Sequence, residues 1–129
     1  MRVAVLMGGP SGEHEVSLKS GQGVVEALTR RRWTVEPIVI PKACTTDEAR
    51  EAARQALQAS GADVAFLALH GPFGEDGTVQ ALCEELHLAY TGSTARASRL
   101  GIDKAASRER FAAAGQTVPR WEAIDLSAP

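Results

Sequence analysis

Residues 2–15 read RVAVLMGGPSGEHE, and this stretch decides the fold: an apolar run is stopped by two glycines and followed by a turn-rich segment. Such a continuous apolar run is typical of a parallel strand that is buried on both faces. A helix is predicted next, over residues 16–31, because apolar residues recur at helical spacing and arginines occupy its C-terminal end. Gly21 and Gly23 would let this helix pack closely on the strand.

The alternation of strand and helix continues along the chain. Pro37 removes a hydrogen-bond donor from the second strand and places it at an edge of the sheet, whereas the third strand is apolar throughout and therefore central. Thr45 and Glu48 predict a capping box, and Gly61 predicts the end of the helix that follows it. We predict strands over 2–7, 33–40, 64–69 and 89–91, and helices over 16–31, 45–60, 78–87, 94–101 and 103–114, with a partial extended strand around 121–124. This order predicts an α/β fold, an open parallel sheet of about four strands flanked by helices and Rossmann-like in type.

Composition excludes several classes of protein. The chain has 129 residues, enough for a domain with its own core, and 14 basic against 16 acidic residues give a net charge of -2. This balance argues against a nucleic-acid partner, and no apolar stretch approaches the roughly 20 residues that span a bilayer. The N-terminus is a poor secretory signal, so we expect a cytoplasmic protein with no membrane partner. Two distant cysteines and three histidines predict neither a disulfide framework nor a metal site, and Cys83 is predicted to be a buried apolar residue.

Two glycine-rich stretches, residues 8–15 and 70–77, follow the first and third strands. Ligands of open parallel sheets bind outside the carboxyl ends of the strands, where the strand order reverses. If the first and third strands are neighbours, the two stretches lie side by side. Acidic and imidazole side chains would then converge on one crevice: Glu13, His14, His70, Glu75 and Asp76.

The residue types in this crevice suit a zwitterion such as an amino acid. Backbone N–H groups at the start of the first helix favour an anion, and Glu13 could pair with an ammonium group. The dinucleotide fingerprint G-x-G-x-x-G is not matched, because Pro10 and Ser11 interrupt it. Alternatives remain open for the other residues. His70 is either a structural histidine or a donor to the ligand, Glu75 and Asp76 are either site residues or caps of the next helix, and His14 and His87 are expected at the surface or in loops.

Three motifs in order resemble D-alanine–D-alanine ligases. Residues 8–17, GGPSGEHEVS, resemble the N-terminal signature of that family, and residues 70–80, HGPFGEDGTVQ, resemble its second signature. Residues 90–93, YTGS, followed by residues 97–98 and 103–104, resemble the segment that leads into the ATP-binding part. The resemblance covers residues 2 to about 121. Thr94 and Arg96 depart from the pattern, since small and apolar residues are expected there.

The resemblance implies an activity and a domain arrangement. The family belongs to the ATP-grasp superfamily and joins two D-alanines for the peptidoglycan of the cell wall. ATP phosphorylates the carboxylate of the first D-alanine, the amine of the second attacks the acyl phosphate, and Mg²⁺ neutralises the phosphates. Residues 1–95 would be the substrate-binding domain that precedes the ATP-grasp fold, and residues 96–129 would begin the central ATP-grasp domain.

The resemblance also implies residue roles. Glu13 and His70 would be the catalytic candidates, with Glu13 holding the ammonium of the first D-alanine and His70 contacting its carboxylate region. Val16 would touch the substrate methyl group, Ser17 would support the loop, and Glu75 would be hydrogen-bonded to His70.

For the nucleotide, Lys104 would reach the phosphates of ATP. The ATP clamp and the Mg²⁺ ligands belong to the central and C-terminal domains of the family, so we expect these 129 residues alone to be inactive. The choice of second substrate, D-alanine, D-lactate or D-serine, is left open.

Two other functions are considered. One is a stand-alone module of the doubly wound type that binds a small molecule or a nucleotide. The other is an interaction or dimerisation domain, since in the family this domain often helps to form a homodimer.

Overall fold

The computed structural model describes residues 1–124, and residues 125–129 lie outside the described part. The strands are β1 (Arg2–Gly8), β2 (Thr34–Ile40), β3 (Val64–Leu67) and β4 (Ala89–Tyr90), and the helices are α1 (His14–Arg30), α2 (Thr46–Ser60), α3 (Thr78–Glu85), α4 (Ala95–Ile102) and α5 (Lys104–Ala113). The predicted α/β order is confirmed. The partial strand expected around residues 121–124 is not formed, since residues 116–124 contain neither helix nor strand.

The four strands form one parallel sheet in the order β2-β1-β3-β4. Strand β2, which contains Pro37, lies at an edge, and β3 lies between β1 and β4, as predicted. Because β1 pairs with β2 on one side and with β3 on the other, the strand order reverses between β1 and β3. The first loop (residues 9–13) and the second loop (residues 68–77) therefore leave the sheet side by side, as predicted.

Successive side chains of β1 are buried on opposite faces of the sheet. Ala4 and Leu6 pack with α2 and α3, whereas Val3, Val5 and Met7 pack with α1. This double burial explains why β1 is a continuous apolar run. Between residues 1 and 124, no helix combines the length and apolar character needed to cross a membrane.

The predicted start and end of α2 and the predicted burial of Cys83 are also confirmed. Thr45 and Glu48 form the predicted capping box, and Gly61 ends α2 in the left-handed conformation, with φ 58°. Cys83 is fully buried in α3, and this burial raises the pKa of its thiol to about 11.

Helix α1 approaches the sheet most closely at Gly21. A Cβ atom placed on Gly21 would lie 2.6 Å from Cβ of Met7 and 2.9 Å from its Sδ, so only glycine allows this approach. The same expectation for Gly23 is wrong, because a Cβ there would meet nothing within 4 Å. Two residues further along the helix, Gly23 faces away from β1.

The two glycines form a matched pair for a stability test. Gly21→Ala is expected to destabilise the chain by about 1–3 kcal/mol, because Met7 must shift within a packed core. Gly23→Ala is expected to stabilise it by about 0.5–1 kcal/mol through helix propensity alone. Urea unfolding of both variants measures this difference in sign. Equal effects of the two substitutions would contradict the close contact between α1 and β1.

Candidate functional site

Ser17 stands between the ends of β1 and β3. The last ladder hydrogen bond between these strands runs from the Ala68 amide to the Leu6 carbonyl, at 2.9 Å. In a regular parallel ladder, the next hydrogen bond would run from the Gly8 amide to the Ala68 carbonyl. Instead, the Gly8 amide donates to Ser17 Oγ at 2.8 Å, and this hydroxyl donates to the Ala68 carbonyl at 2.8 Å. The inserted hydroxyl ends the ladder and keeps both backbone groups paired.

Two more serines connect α1 and the first loop to the second loop. Ser11 Oγ donates to the His70 carbonyl at 2.8 Å and accepts from the Glu13 amide at 3.1 Å. Ser20 Oγ lies 3.2 Å from Nε2 of His70. Together with Ser17, these serines hold the backbone and the ring of His70 against the first loop.

Glu13 lies where the two loops meet. Its side chain is in contact with Gly71, because a Cβ atom placed on Gly71 would lie 2.8 Å from Glu13 Oε2. Gly71 has φ +67°, so both its conformation and its contact favour glycine. Glu13 itself is exposed, and its carboxylate is therefore accessible to a ligand.

The ring of His70 lies between Ser20 and Glu75. Nδ1 of His70 is 3.7 Å from Glu75 Oε1, which is longer than a direct hydrogen bond. A proton on Nδ1 would be directed toward this carboxylate, and Nε2 would then accept from the Ser20 hydroxyl. The structure therefore places His70 and Glu75 side by side, but the hydrogen bond that the resemblance implies between them is not formed.

Asp76 has a structural role, as the capping alternative predicted. Its Oδ2 accepts from the Phe73 amide at 2.9 Å and its Oδ1 accepts from the Thr78 amide at 2.9 Å, at the start of α3. Burial alone would raise the pKa of Asp76, but the hydrogen bonds from Phe73 and Thr78 outweigh it and lower the pKa below its usual value.

His14 is buried, so the expectation that it lies at the surface is wrong. Its Nδ1 lies 2.7 Å from the Gly9 carbonyl and must donate to it, because a carbonyl only accepts. His14 thus closes the first loop from inside. His87 is exposed just after α3, as predicted.

Three amides at or next to the first loop already donate hydrogen bonds within the chain. The Gly8 amide bonds to Ser17, the Gly9 amide to the Ile40 carbonyl at 2.9 Å, and the Glu13 amide to Ser11. These three groups shape the loop beside the candidate ligand-binding side chains, Glu13 and His70.

The remaining predicted site residues, Val16 and Lys104, lie at the starts of two different helices. Val16 is 54% exposed on the first turn of α1, close in sequence to Glu13, so an apolar side chain is presented to solvent beside the carboxylate. Lys104 is exposed at the first residue of α5. Within residues 1–124, no group of three or more His, Cys, Asp or Glu side chains could hold a metal ion.

Sequence reasoning missed Ser11, Ser20 and Gly71. The three-residue spacing of Ser17 and Ser20 puts both hydroxyls on one face of α1, which is a signal that could have identified Ser20. The contact of Gly71 with Glu13 carries no such signal, since it depends on how the two loops meet.

Ser17→Ala tests the bridge between the strands. The substitution leaves the Gly8 amide and the Ala68 carbonyl without their partner. At about 1–3 kcal/mol for each buried unpaired group, we expect a loss of about 2–6 kcal/mol in the free energy of unfolding. Ser20→Ala, on an exposed position one turn later, should change it by less than about 0.5 kcal/mol. Denaturant unfolding compares the two variants, and a neutral Ser17→Ala would contradict the bridge.

Asp76→Asn tests the cap through pH. The lowered pKa of Asp76 means that its carboxylate stabilises the fold above the ordinary carboxyl pKa, about 3.9, and that this stabilisation is lost as pH falls through the lower value. The native chain should therefore be more stable than Asp76→Asn at pH 7, and the difference should shrink as pH falls below about 4. Thermal unfolding from pH 7 to pH 2.5 measures it. A difference that does not depend on pH would argue against an ionised cap.

A family profile and several known proteins match most of this chain. A family profile described as "D-ala D-ala ligase N-terminus" matches residues 2–56 and 41–93. The D-alanine–D-alanine ligase of Desulforudis audaxviator is 46% identical over 124 residues, which are 96% of this chain and 38% of that protein. The enzyme of Gluconobacter oxydans is 44% identical over 127 residues, 98% of this chain and 40% of that protein. The chain thus spans about two fifths of the length of these relatives.

Two solved structures superpose on nearly all of this chain. The crystal structure of D-alanine–D-alanine ligase from Bacillus anthracis complexed with ATP superposes with a TM-score of 0.79 at 34% identity, over 95% of this chain and 37% of that one. The ligase from Coxiella burnetii shares the fold, with a TM-score of 0.81 at 23% identity over 100% of this chain and 46% of that one. The profile match, over more than half of the residues, shows that this chain belongs to the family of D-alanine–D-alanine ligase N-terminal domains.

Proposed function

We propose that this chain provides the binding site for the first D-alanine in an ATP-dependent D-alanine–D-alanine ligase that acts in peptidoglycan synthesis. The observation that carries the proposal is the position of Glu13. Its carboxylate is exposed and lies against Gly71 of the second loop, the residue that follows His70. A carboxylate and an imidazole on two neighbouring loops suit the ammonium and carboxylate of an amino acid.

Three side chains account for recognition of the D enantiomer. Glu13 would bind the ammonium group, the exposed side chain of Val16 would contact the methyl group, and His70 would contact the carboxylate. Three different groups on one α-carbon, each with its own partner, define the handedness of that carbon. L-alanine could satisfy only two of these contacts at a time.

His70 can change partners when the substrate binds. Nε2 is next to the Ser20 hydroxyl at 3.2 Å, and Nδ1 faces Glu75. A substrate carboxylate in place of Ser20 would need a proton on Nε2, because a carboxylate only accepts hydrogen bonds. In that tautomer the substrate carboxylate accepts from Nε2–H, and Glu75 stays on the Nδ1 side of the ring. Ser17 would act indirectly, by holding the backbone before His70.

Lys104 is the candidate contact for ATP in this chain. We infer that Lys104 contacts the phosphates of ATP, as the resemblance implies, since a lysine at this exposed position can neutralise phosphate charge. Magnesium would supply charge neutralisation when bound. The donors within residues 1–124 do not form a set that fits it, so we derive no step through a metal.

The division of the chain and its assembly are also proposals. We infer that residues 1–95 form the substrate-binding domain and that residues 96–129 begin the central domain, which is supported by the end of the profile match at residue 93. By resemblance to the family we further infer a cytoplasmic ligase that works as a homodimer. Sedimentation of the active ligase would test the dimer.

The activity is tested in a chimera that places this chain in front of the remaining domains of the Desulforudis audaxviator ligase, to which it is 46% identical. We expect ADP release that depends on D-alanine and not on L-alanine, while the chain alone shows no turnover. A folded chimera that binds ATP but does not respond to D-alanine would contradict the proposal. Micromolar binding of ADP or NAD by the chain alone, measured by calorimetry, would favour a stand-alone nucleotide-binding module instead.

Glu13→Gln tests the named site in the same chimera. The loss of a charge-assisted hydrogen bond should lower kcat/KM for D-alanine about 10- to 100-fold. Glu15→Gln is the matched control, because Glu15 is exposed two residues later in the first turn of α1 and should leave kcat/KM within about twofold. Equal losses of kcat/KM in Glu13→Gln and Glu15→Gln would show that Glu13 contributes only to the negative charge of this region and does not bind the ammonium group.

A further inference from the structure

Glu84, the penultimate residue of α3, connects three elements of the fold. Its Oε1 accepts from the phenol of Tyr90 in β4 at 2.7 Å and from the backbone amide of Ala95, the first residue of α4, at 3.0 Å. None of the residue roles considered above explains this carboxylate. It is the direct hydrogen-bonded link between the sheet-covering helix α3 and the start of α4.

The start of α4 lies against the end of the second loop. Ala95 is 2% exposed, and Gly77, the last residue of that loop, has φ +88°. A Cβ atom placed on Gly77 would lie 2.5 Å from the Ala95 carbonyl oxygen and 2.8 Å from Cγ of Arg99. Helix α4 is therefore in van der Waals contact with the segment that carries His70 and Glu75.

Helices α4 and α5 are joined by their own contacts. Ser107 Oγ of α5 donates to the Leu100 carbonyl of α4 at 2.6 Å. Asp103 caps α5 by accepting from the Ala106 amide at 3.0 Å. Because α5 begins at Lys104, the placement of α4 also determines where Lys104 lies.

The charge on Glu84 strengthens this connection. Hydrogen bonds from the Ala95 amide and the Tyr90 phenol, together with the nearby Arg99, lower the pKa of Glu84, so the carboxylate is ionised at neutral pH. Burial and the same carboxylate raise the pKa of Tyr90 to about 12. An ionised acceptor with two donors forms stronger hydrogen bonds than a neutral one.

We propose that Glu84 is a positioning residue whose carboxylate docks α4 against the end of the second loop and so fixes the Lys104 helix relative to the substrate crevice. The docking of α4 is inferred from contacts within this chain alone. The effect of that docking on how Lys104 contacts ATP rests on the proposed function.

The neighbouring Glu85 provides a matched control. It is also exposed at the C-terminal end of α3, but its carboxylate pairs with Arg50 and Arg54 of α2, at 2.7 Å for Arg54. Glu84→Gln and Glu85→Gln thus remove one charge each from adjacent positions, and only the first should affect α4.

The first experiment measures amide hydrogen exchange at Ala95 in the 129-residue chain. Glu84→Gln and Tyr90→Phe should each accelerate exchange at Ala95 several-fold, Glu84→Ala about tenfold or more, and Glu85→Gln should leave it unchanged. A protected Ala95 in folded Glu84→Ala would overturn the proposal.

A second readout uses the single tyrosine of the chain. Its absorbance titration reports Tyr90 alone. Glu84→Gln should lower the pKa of Tyr90 from about 12, while burial still keeps it above the ordinary value near 10. An unchanged titration would show that Glu84 does not hold Tyr90.

The last experiment separates the docking of α4 from the function. In the active chimera, Glu84→Gln should raise KM for ATP about threefold or more and leave KM for D-alanine unchanged, relative to Glu85→Gln. Unchanged KM for ATP would overturn the role in placing Lys104. A chimera without ligase activity would contradict the proposed function, while the exchange and titration results would still decide whether Glu84 docks α4.

Discussion

The hydroxyl of Ser17, held between the Gly8 amide and the Ala68 carbonyl, is the interaction on which the site depends. It takes the place of the next ladder hydrogen bond between two neighbouring parallel strands, so the strands separate without leaving a buried polar group unpaired. The opening between β1 and β3 is where the strand order reverses, so the loops that follow these two strands diverge there. A side chain of α1 thereby separates the two strands where these loops begin.

Neutral groups, rather than ion pairs, hold the two loops together. Ser11, Ser17 and Ser20 all contact residues 68–70. Within the described residues Glu13 forms no ion pair, and Glu75 stands 3.7 Å from His70. The charged groups of the crevice thus remain available for a ligand, which is the arrangement that a zwitterionic substrate needs.

Much of this fold could be predicted from the sequence, because strong signals specify it. The apolar run of β1 predicts a strand buried on two faces, and Pro37 predicts the edge. Other features depend on contacts between distant segments and carry no periodic signal. Gly21 and Gly23 look alike in the sequence, and only the position of Met7 distinguishes them. His14 was expected at the surface or in a loop, yet its buried ring closes the first loop from inside.

The central claim is that the crevice beside Ser17 binds the first D-alanine through Glu13 and His70. The most direct test is a crystal structure of the chimeric ligase with D-alanine bound. The account predicts that the ammonium nitrogen lies about 3 Å from a carboxylate oxygen of Glu13, with the methyl group against Val16 and the carboxylate beside His70. Electron density for D-alanine at a place that none of these side chains touches would contradict it.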